Sequence, residues 1–225
     1  MQAQLSNIIQ FPKKRHDPTR FDREPEEGAF FGKGLSSETV RELIEEFRNP
    51  VNERMFRDRA ILLVALRTAL RAQELVQLRW SQTVETPEGE TVFRFTGKGS
   101  RVRYTLPGAD ALGFVRDYHE RFLPKGTDHL FLSMPDRGKS NARHPLSTRG
   151  LQKIVARWDK ETCSGRAIHP HALRHTAVQK AMDEGGSIVA QKLAGHSSPE
   201  TTSKFYTRPY VDASEILQWE NPRKH

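Results

Sequence analysis

The stretch Ala60 to Leu66, Ala-Ile-Leu-Leu-Val-Ala-Leu, offers no polar face on any side of a helix. A helix that is apolar all round is stable only at the centre of a domain or inside a bilayer. This run is seven residues long, against the roughly 20 that a membrane span needs. It predicts a central, buried helix, capped by Asp58, around which every other element has to pack.

The neighbouring segments have the patterns such wrapping elements need. Ser36 is placed to cap a helix in which Val40, Leu43, Ile44 and Phe47 recur at i, i+3, i+4 and i+7, and Asn49-Pro50 stops it. A third helical stretch, with Leu75, Val76 and Leu78 apolar, runs to about Trp80. The period then changes. Residues Val92 to Thr96 and Arg101 to Leu106 alternate, and Gly97-Lys98-Gly99-Ser100 joins them, which predicts a β-hairpin. Residues 109–121 read as helix, Asp128 to Leu132 as a short strand or buried extended segment, and Asp136 to His144 as a polar loop. Ser147 caps a helix through about Trp158. From His169 the chain is helical again, with Leu173, Ala177, Val178, Ala181 and Met182 on one apolar face. Gly185-Gly186 ends it, Ser187 caps a short helix closing at Gly195, and Ser198-Pro199 starts another. A last amphipathic segment covers Val211 to Trp219. The fold class is mainly α with a small antiparallel β-sheet (α+β). Residues 1–34 read as a flexible arm, basic then acidic, before the regular domain.

Composition narrows the function. One cysteine among 225 residues excludes a disulfide framework and a cysteine-based zinc module. The N-terminus has no apolar stretch of the kind a secretory signal carries, so a soluble intracellular protein is expected. Lys plus Arg outnumber Asp plus Glu by 36 to 28, a net charge of +8, which leans modestly toward a polyanionic partner. Two familiar chemistries are argued against. Gly97 to Ser100 lacks the first glycine of a phosphate loop and leads into a strand rather than a helix. His171 and His175 share a helical i, i+4 spacing, but no Glu or Cys stands in that motif and Arg174 would set a cation beside a metal.

What remains is Arg71, Glu74, Lys98, His171, Arg174, His196 and Tyr206. Arg71 and Glu74 stand at i, i+3, as do His171 and Arg174, so each pair can share a face. An arginine in the apolar stretch Leu66 to Leu75 is costly to bury without a partner, and Glu74 can hold its fork. Two guanidinium groups can grip the nonbridging oxygens of one phosphodiester. A cation on a hairpin can protonate a leaving alkoxide, and an imidazole can exchange a proton near neutral pH. A tyrosine hydroxyl becomes a useful nucleophile only beside a base and in a strongly cationic site. With no cluster of carboxylates to hold Mg²⁺, arginines would do the charge work that metals do elsewhere.

Four stretches in order give this set a family likeness: Thr68 to Leu75 (TALRAQEL), Thr96 to Arg103 (TGKGSRVR), His169 to Thr176 (HPHALRHT), and Leu193 to Thr202 (LAGHSSPETT) followed by Phe205-Tyr206-Thr207. Across residues 35–210 the chain resembles the tyrosine recombinase (phage integrase) family. The resemblance implies that Arg71 and Arg174 clamp a scissile phosphate, Lys98 is the general acid, His171 assists proton transfer, His196 binds the phosphate and Glu74 supports the site. Tyr206 would be the nucleophile, forming a covalent 3′-phosphotyrosine. It stands one position later than the family's usual spacing, where Phe205 is found; some members use the longer spacing, and Tyr210 is a poor second.

The resemblance further implies a site-specific recombinase that needs no cofactor, neither metal nor ATP. Its partners would be double-stranded DNA carrying recombination sites and three further copies in a homotetramer. Residues 211–225 would form a C-terminal helix or tail exchanged between subunits. The location would be cytoplasmic and nucleoid-associated in a prokaryote. Residues 1–34 are shorter than the N-terminal DNA-clamping domain of full-length members, so weaker, more salt-sensitive DNA binding is expected, with an accessory protein able to compensate. Two rivals carry their own signatures. A recombinase-like DNA-binding regulator would bind its site without any covalent product. A type IB topoisomerase would relax supercoils without sequence preference.

Overall fold

A computed structural model describes residues 33–96, 102–135 and 142–195, together with Leu217. Helix α2 (Glu53–Thr68) is the centre of the molecule. Every residue from Ala60 to Leu66 is buried, and α4 (Ala109–Phe122) and α6 (Pro170–Ala194) lie against it. Helix α1 (Ser37–Glu46) covers the core with Val40 and Leu43, and its cap is the expected one: the Ser36 hydroxyl accepts the Thr39 N–H at 3.0 Å. Ser147 likewise caps α5 (Thr148–Ala156) by accepting the Gly150 N–H at 3.0 Å.

The start of α2 differs from expectation. Asn52 is its cap, with Oδ1 accepting the Met55 N–H at 3.1 Å. Asp58 lies inside the helix and is 3% exposed. Its carboxylate accepts from Arg57 Nε and Nη2 at 3.2 and 3.0 Å and from Trp158 Nε1 at 3.3 Å. That partner lies 100 residues away, so a local pattern could not show it. Buried charge of this kind survives only when paired.

The third helix is shorter than its apolar pattern implied. Helix α3 (Ala72–Val76) stops before Leu78, because the following backbone pairs with the segment Asp128 to Leu132. Leu130 N–H donates to Leu78 O at 3.0 Å and Trp80 N–H to Asp128 O at 2.8 Å. Trp80–Gln82 is a single 3₁₀ turn. It leads into a strand the sequence pattern did not reveal, β1 (Thr83–Glu85), which makes the hairpin a three-stranded antiparallel sheet in the order β1-β2-β3, with β2 (Thr91–Thr96) in the middle and β3 (Val102–Thr105) at the other edge. The register pairs Phe95 with Arg103.

Helix α6 breaks at Gly186, whose φ of 79° and ψ of 177° suit only glycine. The expected break is therefore present, and the second half closes on left-handed Gly195. Met182 is 44% exposed rather than part of the apolar face. The Ser187 side chain lies outside the described residues, as do the turn 97–101, the loop 136–141 and the arm before Lys33. Of residues 196–225, Leu217 is described, and it is buried in the main core. No helix among the described residues is long and apolar enough to cross a membrane.

One contact makes this packing sensitive to pH. His119 on α4 sits between Trp80 Nε1, 3.3 Å from its Nδ1, and Leu130 O, 2.9 Å from its Nε2. An indole N–H only donates, so Nδ1 is bare and Nε2 carries the proton. Burial holds this imidazole below its ordinary value. In the unfolded chain it takes up a proton near pH 6.5, so its contribution is complete above that pH and is lost as pH falls toward the folded value. The melting temperature should drop between about pH 7 and pH 5, and less steeply in His119→Gln, whose amide can accept from Trp80 and donate to Leu130. Equal slopes in the two proteins would contradict this assignment.

Candidate active site

The site is assembled where α2 ends, α3 begins and both ends of α6 come close. Thr68 closes α2, and Ala69 turns the chain with a left-handed φ of 49°. The chain re-enters helix with Arg71 as the N-cap of α3. Glu74, at the third helical position, reaches back so that its Oε2 accepts the Arg71 N–H at 2.8 Å. Its other oxygen accepts Arg71 Nη1 at 3.0 Å and Arg103 Nη1 at 3.1 Å. The expected pairing of Glu74 with Arg71 is present, and a second arginine shares it.

Arg174 comes from the first half of α6. His169 caps that helix, its Nδ1 accepting the Ala172 N–H at 3.2 Å, with Pro170 in the first turn. Arg174 is 6% exposed. Its Nη1 donates to Ala69 O, and its Nη2 donates to Ala194 O at 2.7 Å. One guanidinium thus ties the last carbonyl of the α2 turn to the last carbonyl of α6. Burial, together with the charges of Arg71 and Arg103, lowers Arg174 to about 10, which still leaves it protonated at neutral pH. Arg103 is lowered as well, by burial first.

Arg71 is the member that reaches solvent, with 36% of its side chain exposed. Two guanidinium groups therefore bond one carboxylate that is itself only 9% exposed, and a third, on Arg174, interacts electrostatically with all three. The excess positive charge opens outward beside Arg71, and guanidinium forks match the oxygens of a phosphate or carboxylate.

His171 stands exposed on the first turn of α6, three residues before Arg174. Its ring lies parallel to that of His169 with centroids 6.3 Å apart, and edge-on to His175 at 6.5 Å. Partial burial lowers its pKa, and the nearby His169, Arg174, His175 and Lys33 lower it further. It is therefore neutral at pH 7, the form that accepts a proton. Lys33 is held nearby because the chain entering the domain is fixed to α6: Leu35 N–H donates to Thr176 Oγ1 at 2.7 Å.

The structure thus brings Arg71, Glu74, Arg174 and His171 to one region, from segments about a hundred residues apart. Lys98, His196 and Tyr206 lie outside the described residues. In sequence Lys98 lies between β2 and β3, and His196 directly follows Gly195. Sequence reasoning missed Arg103. Val102 is 49% exposed, and Arg103 shares the inner face with Phe95, its guanidinium 5.5 Å from that ring. The signal was present in the register, since any residue opposite a buried phenylalanine must face the interior.

The fold, a helical domain with a small antiparallel sheet, is shared with recombinases of known structure. XerA recombinase is similar with a TM-score of 0.56 at 24% identity, over 85% of this chain and 64% of XerA. The XerH site-specific recombinase, in its post-cleavage complex with palindromic difH, also gives 0.56 at 20% identity, over 75% of this chain and 47% of XerH. In sequence, tyrosine recombinase XerC of Staphylococcus aureus (strain bovine RF122 / ET3-1) is 31% identical over 196 residues, 86% of this chain and 58% of XerC. The chain therefore spans less than two thirds of the curated relatives it matches. The pattern of the phage integrase family matches residues 33–212. The chain belongs to that family.

Proposed function

We propose that this chain is a site-specific recombinase that cuts and rejoins double-stranded DNA through Tyr206. The observation that carries the reading is the pairing of Arg71 and Arg103 with Glu74, with Arg174 in electrostatic reach of all three and Arg71 open to solvent. Arg71 and Arg174 hold the scissile phosphate and stabilise the charge that builds on its oxygens. Neutral His171 accepts the proton of the Tyr206 hydroxyl as that oxygen bonds to phosphorus. The phosphorus–sugar oxygen bond breaks, and Lys98 gives a proton to the departing oxygen. His196 hydrogen-bonds the phosphate. The ester keeps the bond energy, so rejoining is the same exchange in reverse and calls on no metal or nucleotide. Relatives support the same reading: the XerC relatives are tyrosine recombinases, and XerH is bound to its DNA substrate after cleavage.

In this reading residues 35–210 form the catalytic domain, 1–34 an arm and 211–225 a tail exchanged between four copies on two DNA sites. A DNA-bending or clamping protein assists assembly. The test starts from duplexes of random sequence, enriched for those the chain retains. The enriched site is then built with a nick beside each candidate cleavage position, so that a cut strand diffuses away and the adduct accumulates. A covalent protein–DNA species should form in EDTA. Binding without any adduct, or an adduct that requires a divalent ion, would overturn the proposal.

A further inference from the structure

We propose that Arg103 is a positioning residue that docks the β2–β3 hairpin, and with it Lys98, onto the arginine pocket. The inference rests on the reading above. Arg103 stands on β3, just past the turn 97–101 that contains Lys98. Its side chain is 14% exposed and leaves the sheet to meet elements distant in sequence. Nη1 donates to Glu74 Oε1 at 3.1 Å, and Nη2 donates to Leu193 O at 3.2 Å. The flat face of the group rests on Gly195: a Cβ at that position would lie 2.0 Å from Cζ. Gly195 is thus required twice, by its left-handed φ of 59° and by the guanidinium against it.

One planar group therefore joins three pieces: the carboxylate that holds Arg71, the end of α6 that Arg174 also caps through Ala194 O, and the base of the hairpin. Both terminal nitrogens of Arg103 bond these partners. Its effect on chemistry is exerted through the hairpin. A lysine cannot reproduce it, since a single ammonium cannot occupy both ends of the fork.

The test compares two nicked duplexes of the enriched site, one with the normal bridging oxygen at the cleaved link and one with sulfur there. A thiolate departs without a proton, so the sulfur substrate has no need of Lys98. Arg103→Lys should cleave the oxygen substrate about 100-fold more slowly than the parent chain, the scale of a misplaced general acid. On the sulfur substrate most of that loss should disappear, with DNA affinity unchanged on both. Gly195→Ala, which pushes on the guanidinium from the other side, should show the same pattern. Equal losses on the two substrates, parent-like cleavage of the oxygen substrate, or variants that no longer fold would each overturn the proposal. If the parent chain itself cleaves neither substrate, the recombinase reading fails instead.

Discussion

Arg174→Ala is expected to cost both cleavage and stability. The two carbonyls it serves, on Ala69 and Ala194, belong to residues with no exposed surface. Each buried acceptor left without a donor costs about 1–3 kcal/mol, less where water enters the space. A domain of this size loses roughly 2–4 °C of melting temperature per kcal/mol, so a clear downward shift is predicted. Single-turnover cleavage should fall about 1,000-fold or more, because a donor aimed at developing phosphate charge is lost. Arg174→Lys should recover part of the stability, since an ammonium can satisfy one carbonyl, and little of the rate. A variant that melts with the parent chain would show that the two helix ends are not held together by this group.

The largest effect is expected from Tyr206→Phe. The substitution removes one oxygen and keeps the aromatic ring. No other group in the proposed site can form the ester, so the adduct should disappear while DNA binding persists. Tyr210 is the natural control: Tyr210→Phe should leave adduct formation intact. The opposite outcome, with adduct lost only in the second variant, would move the nucleophile.

Where structure depends on neighbouring residues, the sequence was an adequate guide. The apolar run Ala60 to Leu66 implied the central helix; Ser36, Ser147 and the left-handed Gly195 implied helix ends; the i, i+3 spacing of Arg71 and Glu74 implied their pairing. Elements governed by distant contacts were misread. Asp58 looks like a cap beside an apolar run, yet Trp158 and Arg57 hold it inside the helix. Leu78 to Trp80 continues a helical pattern, yet its backbone is satisfied by Asp128 to Leu130. β1 is only three residues long, too short to show alternation. Arg103 has its carbonyl partner 90 residues further along the chain, and nothing local announces it.

The same contrast applies to chemistry. The residue types and their order were enough to place the chain in its family. The unequal roles of the two expected clamp arginines were not legible, because they arise from burial: Arg71 faces solvent, and Arg174 sits behind it bound to two helix ends. In the proposed reading the part-exposed fork of Arg71 meets the phosphate first and Arg174 grips it from a more buried position.

The most direct measurement is to digest the covalent protein–DNA species with a protease and identify the peptide that carries the nucleotide. The account predicts a phosphotyrosyl bond at Tyr206, formed in EDTA and absent from Tyr206→Phe. A nucleotide attached to any other residue would contradict it.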